Sequence, residues 1–102
     1  MATTLSQSQR QFLRKLAHDL KPLVNIGKNG LSDNLLDSAN IALDSHELVK
    51  VKFYDFKDEK RELADELAGQ LRAELIYVIG NTAILYRRQS DADKRKINLP
   101  RD

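Results

Sequence analysis

Between residues 6 and 19, apolar Phe12, Leu13, Leu16 and Ala17, continued by Leu20, recur at spacings of three and four. Arg10, Arg14, His18 and Lys21 follow a separate stripe, so the segment predicts an amphipathic helix, which Pro22 stops. A short apolar run, residues 23–26, predicts a strand. The pattern then returns to helical spacing over 32–45, with Leu35, Leu36, Ala39 and Leu43 facing inward. Ser32 is the expected N-cap, and Leu31 and Leu36 occupy the two positions of a hydrophobic staple around it.

Residues 47–54 alternate. Val49, Val51 and Phe53 share one face of a predicted strand, and Lys50, Lys52 and Tyr54 share the other. Asp58 is the expected cap of a third helix whose buried stripe is Leu63, Ala64, Leu67, Ala68 and Leu71. Residues 74–79 and 83–88 predict two more strands, joined by the Gly80-Asn81 turn as a hairpin. The order α-β-α-β-α-β-β predicts an α/β fold: one compact domain with a four-stranded mixed sheet packed with helices. The domain is expected to take in residues 1–102, with 89–102 an extended basic tail anchored by Ile97 and Leu99.

The 102 residues can bury an ordinary core, and the absence of cysteine excludes disulfides, thiolate nucleophiles and cysteine metal sites. No apolar run approaches the roughly 20 residues that span a bilayer, and the N-terminus lacks the basic and apolar regions of a secretion signal. A cytoplasmic location is expected, with no membrane partner. Net charge is only +2, but it is unevenly spread: +4 over residues 1–30, −4 over 31–73 and +2 over 74–102. Basic ends around an acidic middle predict a dipolar surface with one side suited to polyanions.

Catalytic constellations are not visible. His18 and His46 have no metal-ligand spacing, and the carboxylates lie among lysines and arginines as on exposed helix faces. No catalytic residue, metal, cofactor or small-molecule substrate is expected. Binding chemistry is better represented. Gly27-Lys28-Asn29-Gly30 links a strand to a helix start, and its glycines let a ligand approach the main chain. Free N–H groups and a partial positive charge at the helix start suit a phosphate backbone. The loop is too short for a Walker motif, and on its own it is equally compatible with a simple tight turn. Arg10, Arg14, Lys15, Lys21 and Lys28 form a basic cluster around it, with Lys50, Lys52, Tyr86 and Arg87 as further cationic and aromatic candidates on strands.

Four segments occur in a fixed order: Leu16-Ala17-His18-x-Leu20-Lys21-Pro22, Ile26-Gly27-x-Asn29-Gly30-Leu31, Glu47-Leu48-Val49-Lys50-Val51-Lys52, and Val78-Ile79-Gly80-x-Thr82-x-x-Leu85-Tyr86-Arg87. With the closing Lys96-Ile97-x-Leu99-Pro100-Arg101, the chain resembles the bacterial YhbY proteins, the stand-alone form of the CRM (chloroplast RNA splicing and ribosome maturation) domain. The resemblance implies an RNA-binding domain similar in fold to the C-terminal domain of translation initiation factor 3. It implies that Gly27 to Gly30 form the family's Gly-x-x-Gly loop, likened to the RNA-clamping loop of KH domains. It further implies a non-enzymatic large-subunit ribosome assembly factor, with ribosomal RNA and the pre-ribosomal large subunit as partners. Ala83-Ile84 departs from a bulkier Leu-Val pair common in the family, a matter of packing. The chain is expected to act as a monomer. A second reading is a protein-interaction module whose acidic middle, including Asp33, Asp37, Asp44, Glu59, Glu62, Asp65 and Glu66, docks on a basic protein.

Overall fold

The computed structural model describes residues 5–100. Ser6 caps α1 (Gln7–His18) through a reciprocal box: its hydroxyl accepts the Gln9 N–H, and the Gln9 side chain accepts the Ser6 N–H. After β1 (Val24–Ile26), Ser32 caps α2 (Asp33–His46), accepting the Leu35 N–H at 3.2 Å. β2 (Leu48–Phe53), α3 (Lys60–Gln70), β3 (Glu74–Ile79) and β4 (Thr82–Tyr86) complete the order.

The sheet order is β1-β2-β4-β3. β1 runs parallel to β2, with Val24 opposite Val51 and Ile26 opposite Phe53, as the α2 crossover allows. β4 enters between β2 and β3 and is antiparallel to both. Hence the hairpin supplies both the edge strand β3 and the strand that completes the centre.

Strand alternation sends side chains to two different cores. Val24, Ile26, Val49, Val51, Phe53, Ala83 and Leu85 pack under α2 and α3 with Leu35, Ala39, Leu43, Ala64 and Leu67. Leu48, Ile76, Ile84 and Tyr86 pack on the opposite face with Leu5, Leu13 and Ala17 of the α1 layer. Each leucine buried in either core contributes about 2 kcal/mol of transfer free energy. A bulge between Leu75 and Tyr77 shifts the β3 register, and both Ile76 and Tyr77 join the α1-side cluster.

Three sequence expectations are corrected. Leu16 and Leu20 are about 40% exposed, because α1 contacts the sheet through the narrower stripe of Leu13 and Ala17. Asp58 does not cap α3. Phe56 takes a left-handed conformation (φ 57°) and starts a 3-10 turn, Lys57–Glu59, whose main chain closes itself when Glu59 N–H donates to the Phe56 carbonyl. β4 ends at Tyr86 rather than residue 88: the Arg87 N–H still donates to the Glu47 carbonyl at 2.8 Å, but Glu47 has φ 64° and its strand, β2, begins only at Leu48.

Beyond β4 the chain returns along the α1 face. Ile97 and Leu99 pack against that cluster, and Gln9 of α1 donates to the Pro100 carbonyl at 2.9 Å. Glu47, buried between α2 and β2 with φ 64°, holds this segment through its carboxylate.

Candidate nucleic-acid interface

The glycine loop is closed by a hydrogen bond from Gly30 N–H to the Gly27 carbonyl at 3.0 Å. Gly30 lies in the left-handed region (φ 58°), and a Cβ there would stand 3.5 Å from the Phe56 ring. A Cβ at Gly27 would meet nothing within 4 Å. The two glycines therefore differ: Gly30 answers a backbone requirement, whereas Gly27 leaves open surface. Lys28 and Asn29 are exposed at the turn, above a hollow of about 380 Å³ that reaches Asn25 and Asn34 in the first turn of α2.

Beside the loop, the Tyr54 and Asp55 N–H groups donate to the Ile26 carbonyl, which brings the end of β2 against the end of β1. Tyr54 and Phe56 are 56% and 42% exposed there. The Lys52 ammonium lies 5.2 Å from the Tyr54 ring centroid, a loose cation–π contact. Lys52 pairs across the sheet with Asn25 on one side and Thr82 on the other.

The second basic element is a groove of about 420 Å³ between α1 and the sheet, lined by Arg14, Lys15, His18, Lys50, Tyr77 and Ile79. The Arg14 guanidinium stacks 3.7 Å from the centre of the Tyr77 ring, which holds the cation in place without neutralising it. Lys50 donates to the His18 carbonyl at 3.2 Å, placing its charge at the C-terminus of α1, where the helix dipole favours a cation. Lys21 is exposed on the other flank of α1. Lys15, Lys21 and Lys28 have no acidic partner among the described residues.

Three of the sequence candidates are engaged elsewhere. Arg10 pairs with Glu74 at 3.5 Å and donates to the Leu75 carbonyl, bracing the bulged strand, so its charge is partly answered within the protein. Tyr86 is only 3% exposed, because its place opposite Leu48 points the ring under α1 and the returning tail; it has no face free for stacking. Arg87 is clamped to α2 and α3, donating to the Asn40 side chain and carbonyl, Asp44 and the Leu71 carbonyl. Neither a free Tyr86 ring face nor an unpaired Arg87 guanidinium is therefore present on the exposed surface.

The folded chain separates its charges. Asp33, Asp37, Asp44, Glu62, Asp65 and Glu66 lie on α2 and α3, across the sheet from α1. Phe56 and Tyr77 are aromatic rings that sequence reasoning did not select. Phe56 stands in an aperiodic stretch, and Tyr77 reads as an ordinary strand residue until the bulge sets it beneath Arg14. Among the described residues no cluster of His, Cys, Asp and Glu could hold a metal ion, and no helix is long and apolar enough to cross a membrane.

A CRS1 / YhbY (CRM) domain matches residues 5–87. The chain is 41% identical over 100 residues to an "RNA-binding protein" of Haemophilus influenzae, covering 97% of this chain and 98% of that one. It is 35% identical over 97 residues to the "Probable RNA-binding protein YqeI" of Bacillus subtilis, covering 94% and 99%. The solution structure of a Staphylococcus aureus protein, a candidate RNA-binding protein, superposes with a TM-score of 0.79 at 36% identity, covering 95% of this chain and all of that one. On sequence and fold together, the chain belongs to the CRS1 / YhbY (CRM) domain family.

Proposed function

We propose that the chain binds RNA without catalysing a reaction on it, using the α1 face of the sheet and the Gly27 to Gly30 loop. The observation that carries this reading is a pair of open basic sites: Arg14, Lys15 and Lys50 line the groove between α1 and the sheet, and Lys28 with exposed Tyr54 and Phe56 flanks the glycine backbone. Cations answer phosphates, and the rings offer surfaces on which unpaired bases stack. The Lys28 and Asn29 N–H groups have no acceptor among the described residues and can hold a phosphate oxygen beside the α2 start. Such contacts position the strand and carry little sequence information, so selectivity falls to RNA shape. The names of the relatives in H. influenzae and B. subtilis support the same reading.

The RNA we propose is ribosomal, in an assembling large subunit in the cytoplasm, with the protein acting as a monomer; the support is the resemblance to stand-alone CRM proteins. The segregation of acidic residues on α2 and α3 favours a second reading, in which that face docks on a basic protein. Titration against isolated large-subunit ribosomal RNA separates the two. Salt-sensitive binding to RNA alone supports the first reading, and binding that requires a ribosomal protein supports the second.

A further inference from the structure

A cavity larger than the α1 groove and the loop hollow lies away from the glycine loop, at the other end of the sheet, where β4 leaves and β3 begins. It encloses about 600 Å³ between the start of α1, the sheet and the returning tail. Four arginines border it: Arg87, whose guanidinium is held by Asn40, Asp44 and the Leu71 carbonyl, and three others, Arg72 from the α3–β3 connection, Arg88 just past β4, and Arg95 from the tail. Arg72 and Arg88 are exposed and have no partner among the described residues. Arg95 donates from Nε to the Gln89 carbonyl at 2.8 Å, which fixes the arm and leaves its terminal nitrogens available.

The carboxylates nearby do not cancel this charge. Glu74 on the wall is paired with Arg10. Glu47 already accepts three main-chain N–H groups, those of Gln89, Lys96 and Ile97. Tyr86 adds a donor. Its side chain is almost wholly buried yet lines the cavity, and its hydroxyl has no hydrogen-bond partner among the described residues. Arg88 and Arg95 line the same cavity, and both charges act to lower the pKa of this hydroxyl.

Arg72 carries a further sign. It has φ 56° directly after the α3 cap, the position where helices usually place glycine. An arginine there is strained, and its side chain gives the cavity a cation that glycine could not.

We infer that this cavity is a phosphate-binding site, in which Arg72, Arg88 and Arg95 surround a phosphate group of a nucleic-acid strand and the Tyr86 hydroxyl donates to it. Guanidinium groups suit this ligand because their paired N–H donors match two phosphate oxygens at once. In taking the phosphate from RNA the inference rests on the function proposed above; the pocket's affinity for phosphate does not.

The test uses the full chain, isotope-labelled, with the arginine Nε–H and tyrosine ring signals followed by NMR. Inorganic phosphate is added at constant ionic strength against a chloride control. Saturable shifts at Arg72, Arg88 and Arg95 are expected. Arg88→Ala should weaken phosphate binding by about tenfold, the loss of one charge-assisted contact. Arg72→Gly should weaken it severalfold while leaving the melting temperature equal or raised, a pairing that a merely structural role would not produce. A short RNA with a 5′ phosphate is then compared with its 5′-hydroxyl counterpart. Tighter binding of the first assigns a strand end to the site, and equal binding that still depends on Arg88 assigns an internal phosphate. Linear shifts that chloride reproduces, or unchanged phosphate binding in folded Arg88→Ala and Arg72→Gly, overturn the inference. RNA binding that depends on Arg14 and Lys28 but not on these arginines overturns the pocket alone, leaving the α1 face in place.

Discussion

The Glu47 carboxylate accepts the main-chain N–H of Ile97 at 2.9 Å, joining the start of β2 to a residue 50 positions further along the chain. The same oxygen accepts the Lys96 N–H at 2.6 Å, and the other accepts Gln89 N–H at 2.8 Å. A charge 1% exposed is thus satisfied entirely by backbone donors. Glu47→Gln keeps the shape but turns an NH2 group toward an N–H donor. We expect a loss of about 2 kcal/mol in urea unfolding, with faster hydrogen exchange at Gln89, Lys96 and Ile97. Unchanged exchange at those amides would show that the tail is held by Ile97 and Leu99 packing alone.

The two loop glycines should respond differently to substitution. Gly27→Ala has room and should fold like the parent, so any loss of RNA affinity reports a close approach of RNA to the backbone. Gly30→Val meets both the positive φ and the Phe56 ring, and should cost about 1–3 kcal/mol of stability. Among folded variants we expect the affinity order Lys28→Ala above Gly30→Val. Melting curves and filter-binding titrations check both, and parent-like RNA affinity in folded Gly27→Ala and Gly30→Val would reduce the loop to a turn.

Burial and the neighbouring Glu47 carboxylate push the Tyr86 hydroxyl above its ordinary value of 10.0, against the opposing pull of Arg88 and Arg95. The folded state therefore holds this proton more firmly than the unfolded chain does. The resulting stabilisation is complete below about pH 10 and is lost as pH rises through the folded value. Tyr86→Phe lacks this contribution, so its stability should fall less steeply above about pH 10. Urea titrations at increasing alkaline pH measure the difference; parallel curves for parent and variant would contradict it.

Much of the fold follows from local periodicity. Leu35, Ala39 and Leu43 mark the buried stripe of α2, and Val49, Val51 and Phe53 mark the buried face of β2. The misjudged residues depend on distant partners. Glu47 looks like a polar strand start until a tail far along the chain presents its N–H groups. Tyr86 ends an apolar strand before two arginines and reads as a surface ring, but pairing with Leu48 places it beneath α1. The glycine loop and the cations of α1 were legible from their spacing. That Tyr77 lies beneath Arg14 depends on register and on the β3 bulge, which no single residue announces.

The salt dependence of RNA affinity tests the central claim most directly. If three to five phosphates are neutralised on the α1 face, log K should fall against log salt with a slope of roughly −2 to −4. Removing Arg14, Lys15 or Lys28 should each make the slope shallower by up to about 1. Neutralising Asp37 or Glu66, across the sheet on α2 and α3, should leave affinity unchanged or slightly raised. A slope near zero, or a slope that responds to Asp37 and Glu66 but not to Arg14, Lys15 and Lys28, would contradict the account.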